Sequence, residues 1–510
     1  MQGLGGTAVN PTRLVIDARL GDNANMQAET FLWHDYETFG ADPRRDRPCQ
    51  FAAIRTDEAL NPIGEPVVWY CQPASDVLPN PDACLITGIT PQTACDKGMP
   101  EYRFASRVDA LMSEPGTCSV GYNNFRFDDE VTRFLFWRNF IDPYAREFRN
   151  GNSRFDLIDV LRLCCALRPD GIEWHYDEAG TPRFRLEDLA RANGMSTEHA
   201  HDALADVSNT LGMAKRLRRH NPKLWAWALS LRARHRVERL VDSGDMLLHA
   251  SSRFPASDFC IAPVLPLFRH PSIKSQWLVW NLRDDPDNFE PLDVDLLSDL
   301  AWTASADLPE GMKRLPVKWI RTNRSPMLAP IPVLDAAAAE RTGIDIDTAE
   351  RHARALKGAP GFIERLQRVY AEPRAGAALD AETALYEGFI ADGDRRALAQ
   401  IRSQPPDAAA ARLKQPGAGF ADERLEELLL HYVARHAPEA LDAGHRGEWE
   451  RYRLRKLVDD PELGTIRVDE YRRRIDQLRA ERPDANRLLD RLEEWLESLG
   501  IDRTTGRESN

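Results

Sequence analysis

A chain of 510 residues, 29% charged, 43% hydrophobic and carrying a net charge of −13, is too long for one core and too polar to live in a bilayer. No apolar run approaches the ~20 residues that span a membrane, and residues 1–28 lack the charged start and apolar centre of a secretory signal, so they read as a loose tail. The eight cysteines contain no C-x-x-C, which argues against a zinc site or a disulfide framework and suits free thiols in a reducing cytoplasm.

Residues 29–212 alternate short apolar runs with helical patterns, the mark of an α/β layer. "TFLWHDYETFG" reads as a strand, and "PCQFAAIRTD" and "EPVVWYCQP" continue the sheet around a turn at Asn61-Pro62. "VDALMSEP" is helical, "TCSVGYNN" is a short buried strand, and "DDEVTRFLFWRNF" has helical spacing. "LIDVLRLCCALR", "RLEDLARANG" (closed by Gly194) and "HDALADVSNTLGMAKRLRR" are further amphipathic helices. A helix rich in Trp and Arg follows, and residues 222–375 carry Pro-punctuated strands such as "SQWLVWNL" and "LPVKWIRTN", a second, β-rich module. From 376 to 510 the chain turns Ala-, Arg- and Glu-rich with a helical period, as in "DERLEELLLHYVARH" and "ANRLLDRLEEWLESLG", a third module.

Negative charge is unevenly spread. Residues 376–510 hold 28 acids against 22 bases, whereas 215–239 carry one acid among many bases, with Trp225 and Trp227 interleaved, and 313–324 carry no acid. Taken alone, each basic stripe reads first as a solvated helix face or strand edge. Net charge sets solubility and long-range field, and a local stripe can still track a phosphate backbone.

Within the first strand, Asp35 and Glu37 are two residues apart and so share a face. Carboxylates ~4–6 Å apart repel unless a cation sits between them, and such hard oxygen donors suit Mg2+ or Mn2+. Asp128 and Asp129 stand where a strand gives way to a helix, where one of them could simply be an N-cap. His201 precedes Asp206 by five residues, a rotation of about 140° on a helix. The two therefore work together only if His201 lies in the loop before the helix. His34, beside Asp35, points to the other strand face and is expected to be packed.

The order D-x-E, D, H-x4-D resembles the DEDDh group of the RNase H-like 3′→5′ exonucleases. "HDYETFG", "DRPCQFAAIRTD", "LITGITPQ", "GYNNFRFDDEVTRFLFWRNFIDPY", "NSRFDLIDVLR", "FRLEDL" and "AHDALADV" are more closely similar to the bacterial exodeoxyribonuclease I family, densely over 31–215 and collinearly beyond. The tail and the loosely matching C-terminal region depart from it. The resemblance implies an RNase H-like exonuclease domain, an SH3-like β-rich domain and a helical C-terminal domain, closing as a C-shaped clamp with the basic stripes on its inner wall. It implies a single-strand-specific 3′→5′ DNA exonuclease in repair and recombination that releases nucleoside 5′-monophosphates. The rival readings are an exoribonuclease of the same fold and an inactive single-strand-binding clamp. Two Mg2+ ions, replaceable by Mn2+, would be held by Asp35, Glu37, Asp128 and Asp206, with His201 as general base. Glu37 would also meet the terminal 3′-hydroxyl, and Arg185, Arg133, Tyr144 and Arg162 would contact the strand. The implied partner is the single-stranded DNA-binding protein, through its C-terminal tail, and the chain is expected to be a cytoplasmic monomer without membrane contact.

Overall fold

The computed structural model describes residues 29–196, 202–371, 380–414 and 419–501. The tail 1–28, His201 and the module boundary at 375–376 lie outside them. The first module runs β1 (Thr30–Thr38), β2 (Pro48–Thr56), β3 (Val67–Tyr70), α1 (Pro81–Thr87), α2 (Pro91–Lys97), α3 (Glu101–Met112), β4 (Thr117–Gly121) and α4 (Asp128–Arg138). It continues through β5 (Ser153–Asp156), α5 (Leu157–Leu167), the small hairpin β6 (His175–Tyr176) and β7 (Pro182–Arg183), α6 (Leu186–Ala192) and α7 (Ala203–His220).

Its sheet has the order β3-β2-β1-β4-β5, antiparallel from β3 to β1 and parallel from β1 to β5. Alternation along β1 sends Phe31 and Trp33 into a core with Val207 and Leu211 of α7, and Leu32 and Tyr36 into another with Val131 and Leu135 of α4. Asp156 caps α5 through the Ile158 N–H, and Asp202 caps α7 through the Leu204 N–H, so each helix start is fixed by a side chain.

Instead of one Trp- and Arg-rich helix there are two, α8 (Pro222–Ser230) and α9 (Arg234–Asp242). No Gly or Pro marks the break at 231–233. It arises because Trp225 packs inward against Phe31 and Phe155 while α9 turns its own Val237 and Val241 into the same core. The second sheet comprises β8 (Leu247–Ala250), β9 (Ile261–Arg269), β10 (Gln276–Asn281), β11 (Val317–Arg321) and β12 (Met327–Pro330), in the antiparallel order β11-β10-β9-β8-β12. Helix α10 (Val294–Trp302) interrupts it, and α11 (Ala336–Thr342), α12 (Ile346–Gly358) and α13 (Pro360–Val369) follow.

The remaining helices are α14 (Asp392–Arg402), α15 (Pro406–Leu413), α16 (Arg424–His436), α17 (Ala443–Leu454), α18 (Val468–Glu481) and α19 (Asn486–Ser498). They grip the first module at two places. Phe134, Trp137 and Phe140 enter a cluster with Leu425, Leu429 and Val433, and Phe39, Leu78 and Cys84 enter one with Tyr471, Ile475 and Leu489.

Between these patches lies a buried charge network. Arg47 pairs with Glu382 at 2.6 Å, Arg435 with Asp76 at 2.7 Å, and Lys456 with Asp76 at 2.8 Å. Glu130 on α4 is a second junction, bonded by Arg324 of the β-rich module at 3.1 Å and by the Tyr386 hydroxyl of the helical one. Among the described residues no helix is long and apolar enough to cross a membrane.

Candidate active site

Pairing of β1 with β4 ends at Trp33↔Val120, while β1 runs on to Thr38. Asp35 and Glu37 therefore project where the sheet opens beyond the end of β4. Helix α7 crosses β1 and β2 on that face and brings Asp206 from its first turn, so that Asp35, Glu37 and Asp206 each offer an oxygen within 4.8 Å of the others. Asp128 opens α4 and reaches the same corner from the other side of the strand, its Oδ1 accepting the Tyr36 N–H at 3.1 Å.

The electrostatics are those of acids that raise one another. Burial first, then Asp128, Glu37 and Asp206, push the Asp35 carboxyl well above its usual range. Glu37 is pushed up to about 8, by burial and then by Asp206 and Asp128. Asp128 is pushed up to about 7 by burial, against the pull of the Tyr36 N–H. Hard oxygens that repel each other at this spacing fit a divalent cation.

Asp129, one residue on, has the opposite character. It is fully buried between Arg146 at 2.6 Å and Arg154 at 2.5 Å, which hold its carboxyl far below the ordinary range. It is a structural charge, and neither it nor Asp128 caps α4. His34 is buried as expected, stacked on Phe51, and burial lowers it to about 3, so it stays neutral. His201 falls outside the described residues; Asp202, which follows it, is the α7 cap.

The four expected substrate contacts are placed differently from one another. Arg185 is exposed at the start of α6. Arg133 is not the free surface charge that a helix position suggests: it is buried, bonded to Glu147 at 2.8 Å and Glu130 at 2.7 Å, and lies over the half-buried Tyr144 ring at 5.3 Å. Arg162 is likewise buried, against Asp159 at 2.5 Å and the Phe184 ring.

A cleft of about 970 Å3 opens between the first two modules; none of the four acids lines it, and Arg126, two residues before Asp128, is the lining residue nearest to them in the chain. Phe125 and Arg126, in the loop that leads into α4, form one wall; Arg253 and Phe254 with Lys313, Lys318, Arg321 and Arg324 form the other. The 313–324 stripe thus lies where a groove requires it. The 215–239 stripe supplies none of the cleft-lining residues: Trp225 is core, Trp227 donates to the Leu328 carbonyl at 2.8 Å, and Lys215, Lys223 and Arg239 face solvent. Sequence reasoning missed Arg126 and Arg253, single bases in loops with no period to flag them. It also missed Asp156, whose carboxylate accepts the Asn123 N–H at 2.8 Å and the Phe125 N–H at 3.2 Å and so fixes the loop that carries Asp128.

A carboxylate trio at the end of a mixed sheet, with a fourth acid on an adjoining helix and a basic cleft walled by the loop before that helix, defines a nuclease of the metal-dependent exonuclease class. The family model described as Exonuclease matches residues 32–213, that of the Exonuclease I SH3-like domain 232–372, and that of the Exonuclease I C-terminal domain 379–499. Exodeoxyribonuclease I of Haemophilus influenzae is 42% identical over 432 residues, 84% of this chain and 90% of the relative. That of Escherichia coli is 41% identical over 480 residues, 94% and 99% respectively. The solved exonuclease I of Methylocaldum szegediense superposes with a TM-score of 0.87 at 43% identity, covering 92% of this chain and all of that one. Escherichia coli exonuclease I in complex with a dA16 oligonucleotide gives 0.86 at 40% identity, with 92% and 100% covered. The chain belongs to the exodeoxyribonuclease I family.

Proposed function

We propose that this chain degrades single-stranded DNA from its 3′ end and releases nucleoside 5′-monophosphates, serving DNA repair and recombination. The observation that carries this reading is the Asp35–Glu37–Asp206 trio, in a fold whose basic cleft has Phe125 and Arg126 in its wall, the loop that leads into the helix bearing Asp128. Two Mg2+ ions, or Mn2+ in their place, held by Asp35, Glu37, Asp128 and Asp206, would supply the positive charge that favours attack of water on the last phosphodiester and departure of the 3′-oxygen.

The chain's own residues do the rest. Glu37, at the outer end of β1, meets the terminal 3′-hydroxyl and so recognises an end. His201 takes the proton of the attacking water, as an imidazole with an ordinary pKa of about 6.5 can near neutral pH. Arg185, exposed at the head of α6, contacts the strand directly. Arg133 is spent on Glu130 and Glu147, so it acts by holding Tyr144 in place. Arg162 braces Asp159 in the cleft wall.

Module limits of 29–212, 222–375 and 376–510, a monomeric state, and docking of the tail of the single-stranded DNA-binding protein belong to the same proposal and rest on the family resemblance. The test is a 5′-labelled single-stranded DNA, its RNA counterpart and a blunt duplex, each incubated with Mg2+ and then with EDTA. Shortening of the DNA strand alone, with mononucleotide products and only with metal, is expected. Equal degradation of the RNA would replace this reading with an exoribonuclease, and binding without cleavage would replace it with a passive clamp.

A further inference from the structure

One pair in the cleft has a chemistry that phosphate contact alone does not require. Lys318 reaches from β11 to His249 on β8, Nζ to Nε2 at 2.6 Å. The other ring nitrogen of His249, Nδ1, lies 3.1 Å from the Met327 carbonyl oxygen. A carbonyl only accepts, so Nδ1 carries the ring proton and Nε2 accepts from Lys318. Burial and the neighbouring amine hold His249 well below the usual histidine range, which keeps the ring neutral.

Among the described residues, Lys318 therefore spends one N–H on a neutral acceptor and makes no ion pair. The charged groups that act on it most are Asp159 and Arg162 from α5, Arg126 from the loop before α4 and Arg253 from the loop after β8, and Asp284, Lys313, Arg314, Arg321 and Arg324 line the same cleft. Asp159 is taken by Arg162 at 2.5 Å. The Phe254 ring lies 5.3 Å from Nζ and removes water from that side. Desolvation outweighs Asp159 and, with the surrounding bases, brings the Lys318 amine down to about 7.

We propose that Lys318 and His249 form a proton-coupled phosphate grip: the amine takes a proton from solvent when a phosphodiester enters the cleft and returns it when the phosphodiester leaves. This rests on the reading of the cleft as the path of a DNA strand. A phosphodiester supplies the missing negative charge, and its arrival raises the proton affinity of an amine that the empty cleft leaves half neutral. Affinity for a long strand then falls as pH rises above the amine's value in the empty cleft, by up to about tenfold per pH unit for one linked proton.

The test is calorimetry of the full-length protein in EDTA at about pH 8, in buffers of different ionisation enthalpy. A long oligo-dT is compared with a thymidine trinucleotide that fills only the active site. Protons linked to the acidic cluster appear with both ligands, so the excess for the long strand belongs to the cleft. Close to one extra proton is expected. Lys318→Arg should keep tight binding and lose the excess, because a guanidinium stays charged throughout; Lys318→Met should lose both. Circular dichroism establishes that each variant is folded. If either is not, the wild-type excess and its decline toward about pH 6 decide the matter alone. Tight binding of the long strand without excess uptake, or with the excess retained in Lys318→Arg, overturns the inference and leaves the function standing. Failure to bind the long strand at any pH overturns the cleft reading itself.

Discussion

Two clusters of buried charge serve the first module, and they treat their acids in opposite ways. At the end of β1, Asp35, Glu37 and Asp128 are all pushed up, because burial and mutual repulsion act together. In the network with the helical module, Asp76 and Glu382 are held well below the ordinary range and Glu101 is lowered to about 2, because Arg47, Arg138, Arg435 and Lys456 outweigh the same burial. Burial is common to both, and the presence of bases within the fold decides the sign. A cluster that the protein neutralises itself holds modules together. One left unneutralised is kept for charge that arrives from outside.

This contrast can be broken from either side. The largest effect is expected for Asp35→Ala, which should reduce cleavage of labelled single-stranded DNA to background while leaving the fold intact by circular dichroism. Undiminished turnover would remove the cation role of the trio. His201→Ala should lower turnover by ~10²–10⁴-fold with little change in metal affinity; a lost Mg2+ site in a metal titration would make it a ligand instead. Arg435→Met strips partners from Asp76 and Glu382 together and should cost about 3–5 kcal/mol in a urea titration, as for other broken buried pairs. By contrast, Asp35→Asn measured in EDTA should leave stability unchanged or raise it.

The smallest effect concerns pH. Glu37 and Asp128 have folded values of about 8 and about 7, above those of an unfolded chain, so their contribution is complete in acid and is lost as pH rises through that range. In EDTA the melting temperature should therefore fall between about pH 5 and pH 8, and Mg2+ should remove the fall. Glu101 runs the other way. Its contribution is present above the unfolded value and is lost as pH falls through about 2. A melting temperature that rises with pH across the neutral range in EDTA would contradict the raised values.

What could be read beforehand follows from how local each signal is. The two-residue period placed Asp35 and Glu37 on one face, and the helical period placed α4, α5 and α7. Family resemblance then supplied the order of Asp128 and Asp206. The split between α8 and α9 was not legible, because Ser230 to Ala233 carry no breaker and tertiary packing alone ends the helix. Nor was the partner of Lys318, since His249 on β8 and Lys318 on β11 stand 69 positions apart in the chain. The same holds for Arg133, which the resemblance sets against the strand and which the fold buries against Glu147.

The network between the first and last modules also bears on how this chain is made. Asp76 finds its partners at Arg435 and Lys456, which lie 359 and 380 residues further along. During synthesis the catalytic module emerges first, with the Asp76 carboxylate and the Arg47 guanidinium already committed to sites that only the last third of the chain completes. Until then Arg47 has only Asp76 and Glu101, each at 3.7 Å, and the buried charges lack the closer partners Glu382, Arg435 and Lys456. The close partners of Asp76 and Arg47 are all in place only once the chain extends past Lys456.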